Sequence, residues 1–375
     1  IHQYIYYDCF NKNYGGILQN YALNKVLSDL GHEVETLNIV WDLRYKGPQK
    51  YWTYLKRIIK NIIKREWTPL DLESRIMRSD SKTTIYTTAF KKKYIPLSKE
   101  VYIMPYADFS ATNEKYDAII VGSDQVWRPM YTKGIKRYFL DYITNPEIKK
   151  IAYAASFGTC QNEYSAKQAR LCSGLLSSFK AISVREDDGI NQVKSIFHID
   201  NQVMRCIDPT MLLTVDEYKK MIGEYSEENK IFIYILDENL DKIKLVKQTE
   251  NLLGLESYTL TPDGMKNDSS CVIPPVESWL KAIITSKFVI TDSFHGCVFS
   301  ILFNKPFIVY GNKSRGISRF KTLLNALELT SRYIDSIEQF SSSLLSESID
   351  WKHVNDLIGK ERSHGLSFLN KSLSE

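Results

Sequence analysis

Paired cysteines are missing from this sequence. Its six cysteines are scattered singly, with no C-x-x-C spacing, which excludes a disulfide framework and the usual zinc sites and is typical of a reducing cytoplasm. Long apolar segments are missing too, because no run reaches the about 18 residues that cross a bilayer. No signal peptide is visible. We therefore expect a cytoplasmic protein.

The common catalytic motifs are also absent. The sequence has no Walker A motif, no G-x-G-x-x-G and no G-x-S-x-G nucleophile elbow. No H-x-x-x-H and no compact cluster of carboxylates suggests a metal. The net charge of +5 is small for 375 residues, and no zinc finger or basic stripe accompanies it, so we expect no nucleic-acid binding. The mild positive charge favours anionic ligands.

What the sequence does contain is a regular alternation of short apolar strands with helices. Runs such as 118–121, 151–155 and 181–184 are short and apolar, as parallel strands buried on both faces are. The length suggests two domains, and the pattern breaks between 208–210 and the charged stretch 224–230. We predict an α/β protein with two Rossmann-like domains facing each other across a cleft. The predicted limits are 1–212 for the first domain, 228–350 for the second and 351–375 for a helical tail.

The strongest candidate site is the segment TDSFHG (291–296), which follows the apolar run 288–290. It predicts a strand end, a polar turn and a helix start. This geometry places His295 and the Ser293 hydroxyl beside the free N–H groups of a helix N-terminus. Such a site can hold an anion and a base that titrates near neutral pH. The alternative is a core histidine in an ordinary turn.

Polar residues and glycines follow other predicted strands as well. In open α/β sheets, ligands bind at the carboxyl ends of the strands, so we expect these loops to contact substrate. In the alternative interpretation, Ser123 and Asp124 simply cap the next helix. The candidate binding residues in these loops are Asn13, Tyr14, Gly15, Ser123, Asp124, Gln125, Ser156 and Phe157.

Arginines and lysines at two further positions are candidate anion ligands. Arg185 stands at the start of a helix that acidic residues open, where a cation is unfavourable unless an anion joins it. The alternative for Arg185 is a salt bridge to these acidic neighbours. A Gly/Ser loop ahead of another helix carries three further cations, Lys313, Arg315 and Arg319. These residues form either an anion clamp or simply part of a solvated loop.

Residues 51–65 predict an amphipathic helix. One face carries aromatic and aliphatic side chains such as Trp52 and Ile59, and the other face is basic. A basic amphipathic helix with aromatic residues is typical of peripheral contact with a membrane, here the inner face of the cytoplasmic membrane. In the alternative interpretation, the apolar face packs on its own domain.

Together these motifs resemble the polysaccharide pyruvyl transferase family. The order and spacing match from about Asn13 to Arg319, and they imply a GT-B-like pair of domains, with the acceptor on the N-terminal side and the donor on the C-terminal side. The matching segments are NYGG (13–16), GSDQVW (122–127), SFG (156–158), SVRE (183–186), DPT (208–210) and SFHG (293–296).

The resemblance also implies a reaction. The pyruvyl carbons of phosphoenolpyruvate would be transferred as a cyclic ketal to a sugar or lipid-linked oligosaccharide during assembly of a surface polysaccharide, with no metal or further cofactor. His295 and Arg185 would be the catalytic residues. Some family members carry an arginine where this chain has Ser293, so Lys313, Arg315 or Arg319 would have to supply that charge. A nucleotide-sugar glycosyltransferase and a non-catalytic carbohydrate-binding protein are the alternatives.

Overall fold

A computed structural model of the chain describes residues 2–6, 12–40, 47–64, 67–102, 115–132, 134–199, 203–260, 271–311 and 316–374. It contains two parallel β-sheets, one in each half of the chain, with helices between the strands. The prediction of an α/β protein with two Rossmann-like domains is therefore confirmed.

The N-terminal sheet has seven strands in the order β3-β2-β1-β4-β5-β6-β7. This order reverses between β1 and β4, as in Rossmann sheets. The strands are β1 (His2–Tyr6), β2 (Glu33–Val40), β3 (Leu97–Tyr102), β4 (Ala118–Val121), β5 (Lys149–Ala155), β6 (Ala181–Val184) and β7 (Val203–Arg205). The helices of this half are α1 (Tyr14–Asp29), α2 (Pro48–Lys64), α3 (Leu72–Thr83), α4 (Ile85–Tyr94), α5 (Ala166–Leu176), α6 (Asp187–Phe197) and α7 (Val215–Ile222).

The C-terminal sheet has five strands in the order β12-β11-β10-β8-β9. It reverses between β8 and β10, as flavodoxin-like sheets do at the corresponding place. The strands are β8 (Lys230–Tyr234), β9 (Glu256–Tyr258), β10 (Phe288–Thr291), β11 (Phe307–Tyr310) and β12 (Tyr333–Ile334). The helices are α8 (Leu240–Leu253), α9 (Val276–Thr285), α10 (Phe294–Leu302), α11 (Ser318–Ala326), α12 (Ser342–Ser346) and α13 (Trp351–Ser374).

The central strands explain why these sheets form. Strands β4, β10 and β11 read AIIV, FVIT and FIVY, and all of their residues are buried. Parallel strands covered by helices on both faces need apolar side chains at every position rather than at alternate ones. The β-branched and aromatic residues that dominate these runs also suit a pleated surface.

The two halves share a buried core. Helix α1 belongs to the N-terminal half, yet its first residue, Tyr14, stacks on Trp279 of α9 with 5.3 Å between the ring centroids. The Tyr14 hydroxyl also donates to the carbonyl of Pro274 at 2.9 Å. Because α1 begins at the carboxyl edge of the first sheet, this contact brings that edge against the second half.

The last helix returns to the N-terminal half. In α13, the ring of Phe368 lies 6.1 Å from that of Tyr153 in β5, and Lys149 donates to the carbonyl of Leu373 at 2.8 Å. Gly365 permits the approach, because a Cβ there would lie 2.6 Å from the Tyr153 hydroxyl.

The limits predicted for the domains and the tail stay predictions. Within the described part of the chain, no helix combines the length and the apolar character that crossing a bilayer requires.

Candidate active site

Each sheet has one place where its strand order reverses. The loops that follow β4 and β10 lie at these points, and α1 begins on the same side of its sheet. Ligands of open α/β sheets bind at this kind of position. Two pairs of residues join the halves here, because His295 lies 3.5 Å from Asp208 and Arg319 lies 3.5 Å from Asp124.

His295 lies in the first turn of α10. The helix is capped by Ser293, whose Oγ accepts from the N–H of Gly296 at 3.4 Å. The prediction of a strand end, a turn and a helix start is thus confirmed, because β10 ends at Thr291 and the helix begins at Phe294. The imidazole is 5% exposed.

The imidazole ring lies directly on α1. A Cβ added at Gly15 would be 2.5 Å from Cε1 of His295 and closer still to Nδ1 and Cγ. Non-bonded carbon atoms pack at about 3.5–4.0 Å, so only glycine leaves room for the ring at this point. The structure therefore gives Gly15, a predicted binding residue, a contact with the candidate catalytic group.

Asp208 is the carboxylate closest to the histidine. Its Oδ2 lies 3.5 Å from Nε2 of His295, and Nε2 makes no hydrogen bond to any described residue. The other partners of Asp208 fix its position. Its Oδ2 accepts from Gln19 and from Arg185, the latter at 2.8 Å, and its Oδ1 accepts from the hydroxyl of Thr210 at 2.7 Å.

These partners keep Asp208 ionised although it is buried. Burial alone would raise its pKa, but the electrostatic influence of His295 and then of Arg185, with the hydrogen bonds that Asp208 accepts, holds the pKa far below its usual range. A fixed, charged carboxylate beside an imidazole orients the ring. Asp208 is therefore placed to position His295.

Arg185 links two of the carboxylates. It directly follows β6, is 4% exposed, and donates to Asp208 at 2.8 Å and to Asp124 at 3.3 Å. Burial would lower its pKa, but the carboxylates around it, Asp208 first, raise the pKa. The alternative interpretation, a salt bridge to its acidic neighbours, applies weakly, since Nε of Arg185 and Oε2 of Glu186 are 4.0 Å apart.

Arg319 adds a second buried guanidinium from the opposite half. Its Nη1 lies 3.5 Å from Oδ1 of Asp124, so Asp124 bridges both arginines. The two guanidinium groups lie over the ring of Phe294, at 4.6 Å for Arg185 and 5.1 Å for Arg319. Burial and the like charge of Arg185 lower the pKa of Arg319 to about 10. These stacked cations form an anion-binding arrangement that Asp124 currently occupies.

Asp124 is the most accessible member of this group. Its side chain is 24% exposed, against 3% and 7% for the two arginines. Burial would raise its pKa, but Arg185 and Arg319 lower it. The backbone is unusual here, with a cis peptide between Gly122 and Ser123 and a positive φ of 63° at Asp124.

Glu186 organises a neighbouring loop. Its Oε1 accepts from the Ser156 hydroxyl at 2.7 Å and from the N–H groups of Phe157 and Gly158 at 2.8 and 2.9 Å. Ser156 and Phe157 were predicted to bind substrate, and both are buried. The structure brings them beside the site and directs their polar atoms at Glu186. The sequence did not single out Glu186 for this role.

The other predicted binding residues lie in different surroundings. Ser123 is buried and donates to the carbonyl of Ala154 at 2.7 Å, while Gln125 accepts from Arg128 at 3.0 Å. Asn13 is exposed at the start of α1. Lys313 and Arg315 lie outside the described residues. Among the described residues, no group of three or more metal-ligating side chains comes together.

A buried ion pair that the sequence did not predict supports the C-terminal half of the site. Lys242 donates to Asp292 at 2.7 Å, and both are almost fully buried. Asp292 also accepts from the N–H of Leu236 at 2.6 Å. The pair thus joins the loops after β8 and β10, immediately ahead of the helix that carries His295.

The fold and the site define a two-domain α/β protein with a histidine, carboxylates and two arginines buried where its halves meet. The sequence model for "Polysaccharide pyruvyl transferase" matches residues 13–314, which is more than half of the chain. The chain therefore belongs to the polysaccharide pyruvyl transferase family, as the resemblance indicated.

Other comparisons are more distant. No curated protein matches the sequence. Similar solved structures include UGT89C1 of Arabidopsis thaliana, at 9% identity, 98% coverage of both chains and a TM-score of 0.49. Another is the UDP-GlcNAc 2-epimerase of Neisseria meningitidis bound to UDP-GlcNAc, at 11% identity, 99% and 100% coverage and a TM-score of 0.47. At these scores the likenesses add no argument.

Proposed function

We propose that this protein transfers the pyruvyl group of phosphoenolpyruvate to two hydroxyls of a sugar, in a surface polysaccharide or its precursor, and forms a cyclic ketal. Membership of the polysaccharide pyruvyl transferase family supports the class of reaction. The observation that carries the proposal is His295, buried between the two halves and 3.5 Å from the ionised Asp208.

In the proposed first step, His295 is the general acid. As an imidazolium it donates a proton to the methylene carbon of phosphoenolpyruvate, and the neighbouring carbon becomes oxocarbenium-like. Asp208 positions the ring. The small exposed fraction of His295 supports this step, because exclusion of water strengthens electrostatic interactions in the site.

The two arginines are proposed to hold the anionic groups of the donor. Planar guanidinium groups match carboxylate and phosphate oxygens, and Arg185 and Arg319 already share the carboxylate of Asp124. A donor carboxylate would take the place of the Asp124 side chain, which is the accessible partner. The two arginines of the described site lie among three carboxylates, those of Asp124, Glu186 and Asp208. Phosphate therefore needs additional positive charge, and Lys313 and Arg315 are the candidates for it.

The acceptor completes the proposed reaction. The first sugar hydroxyl adds to the oxocarbenium-like carbon, phosphate leaves, and the second hydroxyl closes the ring. One hydroxyl gives its proton to the histidine and so replaces the proton that the histidine gave to the new methyl group. The proton of the other hydroxyl goes to phosphate. We assign Asp124 to orienting sugar hydroxyls once the donor has displaced it from the arginines.

Donor-induced stabilisation tests the proposal against its alternative, a glycosyltransferase that uses a nucleotide sugar. A ligand at 100 times its Kd stabilises a folded protein by about 2.7 kcal/mol. We expect phosphoenolpyruvate to raise the melting temperature and a panel of nucleotide sugars to leave it unchanged. Stabilisation by a nucleotide sugar alone would replace the proposed donor.

A further inference from the structure

Helix α2 turns an apolar face to solvent. The exposed fractions are 63% for Trp52, 72% for Ile62, 74% for Ile63 and 87% for the following Trp67. Leu55 and Ile59 on the same face are each 47% exposed. We call these six residues the α2 apolar surface. Exposed apolar patches of this kind mark sites of interaction with another molecule or a membrane.

The opposite face of α2 is polar and contacts the segment 68–73, which follows the helix. Arg57 donates to Glu73 at 2.8 Å and to the carbonyl of Leu70 at 2.9 Å. Asn61 and Thr68 exchange two hydrogen bonds, both of 2.9 Å. The helix is therefore fixed with its polar side inward. The interpretation in which the apolar face packs on its own domain is wrong for these residues, because large fractions of them are exposed.

Basic residues border the apolar surface. Lys56 and Lys60 are exposed, and in a helix of 100° per residue they lie next to Ile63. Apolar side chains flanked by lysines and accompanied by tryptophans match the boundary between anionic headgroups and acyl chains. A second copy of this chain fits less well, since a two-fold contact through this face would bring the same lysines of both copies together.

The α2 apolar surface is connected to the active site. Lys12 forms a 2.7 Å ion pair with Asp80 of α3, and it lies three residues before Gly15, which contacts His295. At the end of α3, the carbonyl of Thr83 accepts from the N–H of Ile273 in the other half of the protein at 2.8 Å. The helices α2 and α3 are thus attached beside the junction where the site lies.

We propose that α2 seats the protein on the surface of an anionic lipid bilayer, lying in the plane of the headgroups with the α2 apolar surface at the acyl boundary. With 17 residues the helix is about 25 Å long, which provides a line of contact and not a span. The proposal concerns binding alone and does not depend on the reaction proposed above.

Vesicle co-sedimentation of the full chain tests this inference, without donor or acceptor. We expect binding at low salt to vesicles of phosphatidylcholine with phosphatidylglycerol, and at least about tenfold weaker binding to phosphatidylcholine alone. Ile59→Glu/Ile63→Glu should abolish binding. Lys56→Glu/Lys60→Glu should weaken it at least about tenfold on anionic vesicles, and salt should weaken binding of the unmodified protein.

Two matched controls separate this surface from general effects. Lys167→Glu/Arg170→Glu changes the net charge equally on the exposed face of α5, and Leu240→Glu/Leu252→Glu adds acidic groups at exposed apolar positions of α8. Both should bind as the unmodified protein does. All variants change exposed residues, and unchanged melting temperatures would verify folding.

Three results would overturn the inference. The first is no binding of the unmodified protein to anionic vesicles at low salt. The second is equal loss of binding in the control variants. The third is a dimer in solution that Ile59→Glu/Ile63→Glu converts to a monomer, which would assign the surface to a second copy. A failure of pyruvyl transfer would leave these binding results unaffected.

Discussion

Gly15→Ala is the smallest change that tests how the histidine is held. The new methyl carbon would lie 2.5 Å from Cε1 of His295 and closer to two other ring atoms, so the ring has to move. An ångström-scale displacement of a catalytic group can cost about 10²-fold in rate. We therefore expect kcat/KM to fall by about 10²-fold or more, although the substituted residue carries no reactive group.

The same substitution should affect stability only moderately. Overpacking costs about 1–3 kcal/mol, while replacing glycine by alanine within a helix gains about 1 kcal/mol. The two effects partly cancel, so the net loss should be about 0–2 kcal/mol by urea denaturation. Gly359→Ala in α13 is the matched control, because a Cβ there meets nothing within 4 Å. It should be neutral or stabilising and fully active.

The assay is phosphate release from phosphoenolpyruvate in the presence of acceptor. If Gly15→Ala is folded and retains the unmodified kcat/KM, the ring of His295 does not lie against α1 during catalysis, and the arrangement described here is not the working one.

Two other substitutions test the charged groups. Asp208→Asn should lower the free energy of unfolding by about 3–5 kcal/mol, because it leaves Arg185 buried without its closest counter-ion. Since the folded-state pKa of Asp208 is depressed, the stabilisation by its carboxylate is present above the unfolded pKa of about 4 and is lost as pH falls below it. The difference in stability between the two proteins, measured in urea, should therefore shrink in acid, and a pH-independent difference would contradict the ionised state. Arg185→Lys keeps the positive charge but loses the forked guanidinium group that reaches two carboxylates. We expect the KM for phosphoenolpyruvate to rise about tenfold or more, with little change in the acceptor KM. Unaltered donor kinetics would show that Arg185 does not bind the donor.

The sequence predicted the fold well, for a physical reason. Strands such as β4 and β10 are short apolar runs because parallel strands are buried on both faces, and this pattern needs no knowledge of distant contacts. The helices α3 and α4 were not predicted. α3 is largely polar, and tertiary contacts such as the ion pair between Lys12 and Asp80 support it.

The site was predicted only in part, because its pairs join distant parts of the chain. The turn with His295 could be recognised from its strand-to-helix pattern, but its partner Asp208 lies in the other half and was noted only as part of a motif. In the sequence, Glu186 is only one of the acidic residues that open a helix, whereas in the structure its carboxylate accepts hydrogen bonds from the loop at Ser156. For α2, the sequence pattern predicted an amphipathic helix but not which face lies inward. The polar face lies inward because it forms hydrogen bonds with Glu73 and Thr68.

The most direct test of the central claim is mass spectrometry of a candidate acceptor oligosaccharide, free or lipid-linked, after incubation with the protein and phosphoenolpyruvate. The account predicts an acceptor carrying one pyruvate ketal for each phosphate released, and a product reduced by about 10²–10⁴-fold with a folded His295→Asn variant. Transfer of a sugar from a nucleotide sugar to the acceptor would contradict the account. So would a His295→Asn variant that keeps more than about a tenth of the rate, because general acid catalysis predicts far less.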